Sequence, residues 1–169
     1  MANWRIGKPP SPKTPLALSR RNPILFGKSD PAVKAAALFK KESKNRLLEL
    51  GGGQGRDTLF FARDGLQVTS MDYTQKAVET LASKAAAAGF NNRIRTLRHD
   101  VRQPLPFDDS TFDCCYSHML LCMALTSGEL ESLSQEVRRV LNPGGFNVYT
   151  VRHTKDSHYG TGIHRGEDM

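Results

Sequence analysis

Apolar and polar positions along this chain switch repeatedly between a helical period and a strand period. Residues 31–41 (PAVKAAALFKK) space Ala, Val, Leu and Phe as one face of a helix and end in lysines, which a helix C-terminus prefers. Asp30 followed by Pro31 marks that helix's start. Residues 46–50 (RLLEL) form a short apolar run stopped by Gly51-Gly52-Gly53-Gln54-Gly55, the pattern of a strand entering a tight turn. Helical spacing returns over 56–64 and stops at Gly65. Residues 67–71 (QVTSM) read as a β-branched strand ending at Asp72, and 75–88 as a helix closed by Gly89. Residues 93–98 (RIRTLR) alternate as a strand ending near Asp100, and 111–116 (TFDCCY) make another short apolar strand. A helix over 127–141, with Ser127 as its N-cap, precedes Pro143-Gly144-Gly145, and 146–152 (FNVYTVR) alternate as a last strand.

Strands alternating with helices of this length predict parallel strands joined by right-handed crossovers. The expected fold is α/β: a doubly wound, mostly parallel, Rossmann-like sheet with helices on both faces and an additional N-terminal helix. In such a sheet a ligand sits beyond the carboxyl ends of the strands, at the point where strand order reverses.

Composition narrows the class. At 169 residues, with 38% hydrophobic and 24% charged, the chain suits one soluble domain. No apolar run approaches the roughly 20 residues of a membrane helix. The opening MANWRIGKPPSPKTP lacks the apolar centre of a secretory signal. Three cysteines, Cys114, Cys115 and Cys122, form no CxxC pair, which argues against a disulfide scaffold or a zinc site and makes a reducing cytoplasm the default setting.

The net charge of +7 is unevenly placed. Residues 1–45 hold ten Lys and Arg against two acids, whereas the remainder holds fourteen against fifteen. Residues 1–25 also carry Pro9, Pro10, Pro12, Pro15 and Pro23. They read as a flexible basic arm ahead of a folded domain over 26–169. Such an arm is either a solubilising leader or a contact for an anionic partner, RNA included.

The strongest chemical signal is Glu49-Leu50-Gly51-Gly52-Gly53-Gln54-Gly55. Alternate glycines after a strand let the backbone turn sharply and approach a ligand, and the following helix offers its N-terminal N–H groups to an anion or carboxylate. A P-loop would need a Lys after the last glycine, and none follows Gly55. A dinucleotide fingerprint would need a third glycine at position 56 or 58, which hold Arg and Thr. The pattern that closes is acid-x-Gly-x-Gly-x-Gly.

Glu49 to Gly55 resembles motif I of the class I S-adenosylmethionine-dependent methyltransferases, and further features fall in that family's order. Asp72 stands where the family places an acid on the ribose hydroxyls, with Tyr73 beside it. Asp100-Val101 stand where an acid and an apolar residue frame the adenine. Pro104-Leu105-Pro106-Phe107 resembles the lead-in to the fourth strand, Phe112 to His118 that strand, and Pro143-Gly144-Gly145-Phe146 the turn before the fifth. The resemblance implies S-adenosylmethionine as cofactor, held by Glu49, Gly51, Gly53, Gly55, Asp72, Tyr73, Asp100, Val101, Ser117 and His118. Each carboxylate has a plainer alternative: Asp72 as a turn or N-cap acid, Asp100 as a loop acid, Glu49 as a partner of the loop itself.

Methyl transfer from a sulfonium needs orientation and exclusion of water, and a base only where the acceptor must lose a proton. The candidate bases are His118 and His153, with Tyr116, His158 and His164 behind them. The Asn-Pro-Pro-aromatic motif of amino-group methylation is replaced by His118-Met119-Leu120-Leu121, and the cysteines read as small buried hydrophobes. A small-molecule acceptor is the leading expectation, with no metal and no membrane. An RNA methyltransferase and a non-catalytic cofactor-binding or dimerisation module are the alternatives. Residues 154–169 have little strand character, so the domain reads as short at its C-terminus. The fifth strand is then an edge open to a homodimer partner or to residues 159–169.

Overall fold

The computed structural model describes residues 27–123 and 125–157. The arm of residues 1–25 and the segment 159–169 lie outside the described residues. The elements are α1 (Asp30–Lys41), β1 (Arg46–Leu50), α2 (Arg56–Arg63), β2 (Gln67–Asp72), α3 (Gln75–Ala87), β3 (Ile94–Arg98), β4 (Phe112–His118), α4 (Ser127–Val140) and β5 (Leu141–Thr150).

All strand pairs are parallel and the order is β3-β2-β1-β4-β5. Two opposite-facing apolar surfaces on β1 explain why it is central: Leu47 packs with α1, α2 and α3 on one side, Leu48 and Leu50 with α4 on the other. Helices therefore cover both faces, as the alternating pattern predicts. On the first face Phe39, Phe61 and Tyr116 are almost wholly buried, Phe61 meeting Tyr116 edge to face at 4.9 Å. Each such ring contributes about 1.5–3 kcal/mol through the water it leaves. On the second face Leu105, Phe112, Leu133, Val137 and Val140 close against β1 and β4. Arg139 ties the Leu105–Phe107 segment to α4 by donating to the carbonyls of Leu105 and Phe107 at 2.9 and 2.8 Å.

Several boundaries differ from the sequence reading, each for a local reason. Ser29 caps α1 by accepting from the Ala32 N–H, so Asp30 is already helical. Thr126, not Ser127, caps α4, because Glu129 closes a reciprocal capping box with it. Pro143-Gly144-Gly145 does not separate α4 from the last strand. Pairing begins at once with Leu141 opposite Phe112 and resumes with Phe146 opposite Cys114, so 142–145 bulge out opposite Asp113 alone. Asp113 holds that bulge by accepting from Asn142 Nδ2 at 2.8 Å while also taking the Arg46 N–H. Gly144 adopts the left-handed φ of 74° that the bulge requires. Among the described residues β5 pairs only with β4 and β3 only with β2, and no helix is long and apolar enough to cross a membrane.

Candidate active site

The strand order reverses between β1 and β4, so the loops leaving these two strands diverge and open a crevice. Leu50 and Ser117 lie side by side there. A cavity of about 260 Å³ opens above them, lined by Glu49, Gly51, Gly52, Arg56 and His118 among others. It sits where the glycine pattern places a ligand. A second cavity of about 300 Å³ lies at the opposite, amino-terminal end of the strands, between Arg46, Gln67, Ile94 and Phe112.

The loop is fastened before any ligand arrives. The Gly51 and Gly52 N–H groups donate to the Met71 carbonyl at 2.8 and 3.1 Å, Gly53 N–H to Asp72 Oδ2 at 2.9 Å, and Gly55 N–H to the Gly52 carbonyl at 3.0 Å. Three glycine amides are thus spent on holding the loop to the end of β2, and the Gly55 amide on closing the loop on itself. Gly51, Gly53 and Gly55 all have left-handed φ. Gly55 also lies directly against Leu81 of α3, leaving no room for a side chain. Gly52 has a role that the alternating pattern hides. A Cβ there would fall on Ser70 Oγ and within 2.9 Å of Glu49 Oε2. The unbroken Gly51-Gly52-Gly53 run was the available signal for it.

Glu49 is 3% exposed. Its Oε2 accepts from the hydroxyls of Thr58 and Ser70, the latter at 2.8 Å, and its other oxygen is left for the cavity that it lines. Burial pushes its carboxyl up to about 7, against the opposing pull of those two hydroxyls. The partners Thr58 and Ser70 escape a sequence reading because they come from α2 and β2.

Asp72 serves two turns at once. Oδ1 accepts from the Thr74 N–H and hydroxyl, both at 2.9 Å, and Oδ2 from Gly53. It is thus the turn acid of the plainer alternative and also the clamp of the glycine loop. A carboxylate has about four acceptor positions, so one on Oδ2 stays open. Tyr73, next in line, is 60% exposed. Asp100 is held by Arg102 at both oxygens, which keeps its carboxyl down at about 2. Val101 packs partly buried into the α4-side core.

Ser117 is buried at the end of β4. His118 reaches the cavity, and its Nδ1 is 2.7 Å from Thr150 Oγ1, which also accepts from the Met119 N–H at 3.0 Å. Exchange with anything in the cavity therefore runs through Nε2. Met119 has a left-handed φ of 63°, the sharp turn by which the chain leaves β4. His153 is not brought to this cavity. It stands exposed in a turn beyond β5, where Nδ1 accepts from the Lys155 N–H at 2.9 Å. Tyr116 is buried away from solvent, and His158 and His164 lie outside the described residues. Cys114 and Cys115 are fully buried; burial raises both thiols, Cys114 to about 12.

A second buried polar cluster stiffens one wall. Asp57, 5% exposed, accepts from the Ser29 N–H and hydroxyl at 2.8 and 2.7 Å, from Tyr116 OH at 3.3 Å and from Arg56 Nε and Nη2. Burial alone would raise its carboxyl; the Arg56 and Ser29 hydrogen bonds outweigh that and lower it. Its members are separated by up to 87 residues, so nothing local in the sequence announces it.

Residues 47–145 match a family model described as a methyltransferase domain. The sterol 4-C-methyltransferase strm-1 of Caenorhabditis elegans is 34% identical over 110 residues, covering 64% of this chain and 32% of that protein. The glycine/sarcosine/dimethylglycine N-methyltransferase of Actinopolyspora halophila is 29% identical over 115 residues, 68% of this chain and 20% of its own length. Among solved structures, the CcbJ methyltransferase from Streptomyces caelestis superposes with a TM-score of 0.61 at 25% identity, covering 71% of this chain and 49% of that one. The S-adenosylmethionine-dependent methyltransferase from Mesorhizobium loti has the same fold, with a TM-score of 0.60 at 24% identity over 74% of this chain and 55% of its own. The chain spans about a third or less of the first curated relatives it matches, 32% and 27%.

Proposed function

Because the chain belongs to the class I S-adenosylmethionine-dependent methyltransferase family, we propose that it carries the methyl group of that cofactor to a small-molecule acceptor. The observation that carries the reading is the cavity between β1 and β4, where a buried carboxylate, a sterically obligatory glycine and a histidine meet. The residues present fit the group. Glu49 Oε1 suits the ammonium of the methionine end, and the open acceptor position on Asp72 Oδ2 suits one ribose hydroxyl. The second ribose hydroxyl finds an acceptor if the Thr74 hydroxyl turns from Oδ1. Tyr73 and the loop begun by Asp100 and Val101 lie toward the base.

Bound S-adenosylmethionine would supply an electrophilic methyl carbon on a sulfonium. The protein's contribution is position and dryness. The glycine loop, already fastened to Met71 and Asp72, needs no ordering when it receives the cofactor. Ser117 and His118 end the strand beside it. His118, anchored through Nδ1 to Thr150, directs Nε2 to the cavity and is the group placed to hold or take an acceptor's proton.

The activities for which relatives are named, on sterols and on glycine and its methylated forms, support a small molecule as acceptor. The domain doing this is residues 26–169, with the basic arm of 1–25 ahead of it. Calorimetric titration with S-adenosylhomocysteine tests the reading. Micromolar binding that Asp72→Ala removes is the expected result; a folded chain that binds none refutes it.

A further inference from the structure

Resting on that cofactor reading, we infer that Arg102 decides how the cofactor's base is read: it fills the acceptor positions of Asp100, so that the carboxylate positions a guanidinium instead of accepting from the base's exocyclic amino group. The contacts are specific. Arg102 Nε donates to Oδ1 at 2.9 Å and lies 3.1 Å from Oδ2; Nη2 donates to Oδ2 at 2.6 Å; and the Arg102 backbone N–H donates to Oδ1 at 3.0 Å. A carboxylate has about four acceptor positions; three N–H groups cover them here, the single Nε–H being shared between both oxygens, so that each oxygen faces two N–H groups. The bidentate fork is also the strongest and most directional form of this pair. Asp100 thus differs from Asp72, whose Oδ2 faces one N–H only.

The other side of the guanidinium faces the region assigned to the base. Arg102 Cζ lies 5.9 Å from the centre of the Tyr73 ring, and that ring is 60% exposed. Tyr73 is itself steadied by Arg98 Nε, which donates to its carbonyl at 3.3 Å. Nη1 contributes to none of these contacts, so its two N–H groups remain as donors. A site that offers donors and a stacking surface here, and no free carboxylate, gains nothing from an amino group on the base. An oxo group at the same position suits it at least as well.

The test compares S-adenosylhomocysteine with S-inosylhomocysteine, which carries oxygen in place of the amino group. Both are titrated calorimetrically into the full chain and into Arg102→Ala and Arg102→Lys. The parent is expected to bind the two within about threefold of each other. Arg102→Ala frees the carboxylate and should favour S-adenosylhomocysteine by about tenfold or more, the value of a hydrogen bond to a charged group. Arg102→Lys, which occupies one oxygen and not both, should fall between. Thermal midpoints accompany each titration, since a merely structural Arg102 would lower them without moving the ratio. The inference is overturned if the parent already prefers S-adenosylhomocysteine tenfold, or if the ratio stays near one in Arg102→Ala. Binding of neither ligand by the parent overturns the cofactor reading instead.

Discussion

Replacing Glu49 by Gln should make the protein more stable and a poorer cofactor binder at the same time, and the stability gain should depend on pH. An unfolded Glu loses its proton near its ordinary value of 4.5. In the native state burial raises this to about 7. Between these values the native protein binds more protons than the unfolded one. Its stability therefore falls as pH rises through the window and is level above it. A separation of about 2.5 pH units, at roughly 1.4 kcal/mol each, amounts to about 3.5 kcal/mol. Gln fills the same space and keeps a carbonyl oxygen for the Thr58 and Ser70 hydroxyls, but it has no charge to desolvate. Urea unfolding of parent and Glu49→Gln should give nearly equal stabilities around pH 4 and a gap approaching about 3.5 kcal/mol in favour of Gln around pH 8. Measuring the gap, and not either curve alone, cancels every other group that titrates. A gap that stays constant across this range would refute the reasoning, because it would mean that the carboxyl titrates alike in both states. Titration with S-adenosylhomocysteine supplies the other half: around pH 8 the variant should bind more weakly, since a neutral amide attracts an ammonium less than a carboxylate does.

Two further substitutions probe the frame around the cavity. Gly52→Ala keeps a backbone conformation open to any residue but pushes a methyl onto Ser70 and Glu49; a loss of roughly 1–3 kcal/mol in urea unfolding is expected, with cofactor binding weakened, and an unchanged midpoint would contradict the packing described. Asp57→Asn turns an acceptor toward the donors Ser29, Tyr116 and Arg56 into a donor on one side. About 2–3 kcal/mol should be lost, with faster amide exchange in α1 than in the sheet; protection lost equally everywhere would speak against α1 being pinned there.

The elements were legible wherever a local pattern had a local cause. The apolar runs 46–50 and 111–116 became central strands because side chains on both of their faces are covered, and Ala-rich 75–88 became α3 because Gly89 stops it. Errors arose where a distant group settled a local choice. The Pro143-Gly144-Gly145 turn became a bulge inside β5 because Asp113, across the ladder, holds Asn142. Thr126 took the cap of α4 because Glu129 could reciprocate. At the site, the glycines and Asp72 were visible as a spaced motif. Thr58, Ser70, Asp57 and Arg102 were not, since each gains its meaning from a partner that only folding supplies, or, for Arg102, from a short-range pair whose geometry a sequence does not state. His153 was placed by its position after a strand, and the strand ends at Thr150, before it.

The pinning of α1 has a topographic consequence. Ser29 is locked to Asp57, a residue of the cavity wall, and Gly27 lies against the Arg56 side chain with its Cα-attached space 3.6 Å from Cγ. The polypeptide thus departs toward its N-terminus from the rim of the crevice and not from the far side of the domain. Residues 1–26 carry five basic residues and no acidic one, and the chain that joins them to the domain enters beside the wall formed by Arg56 and Asp57.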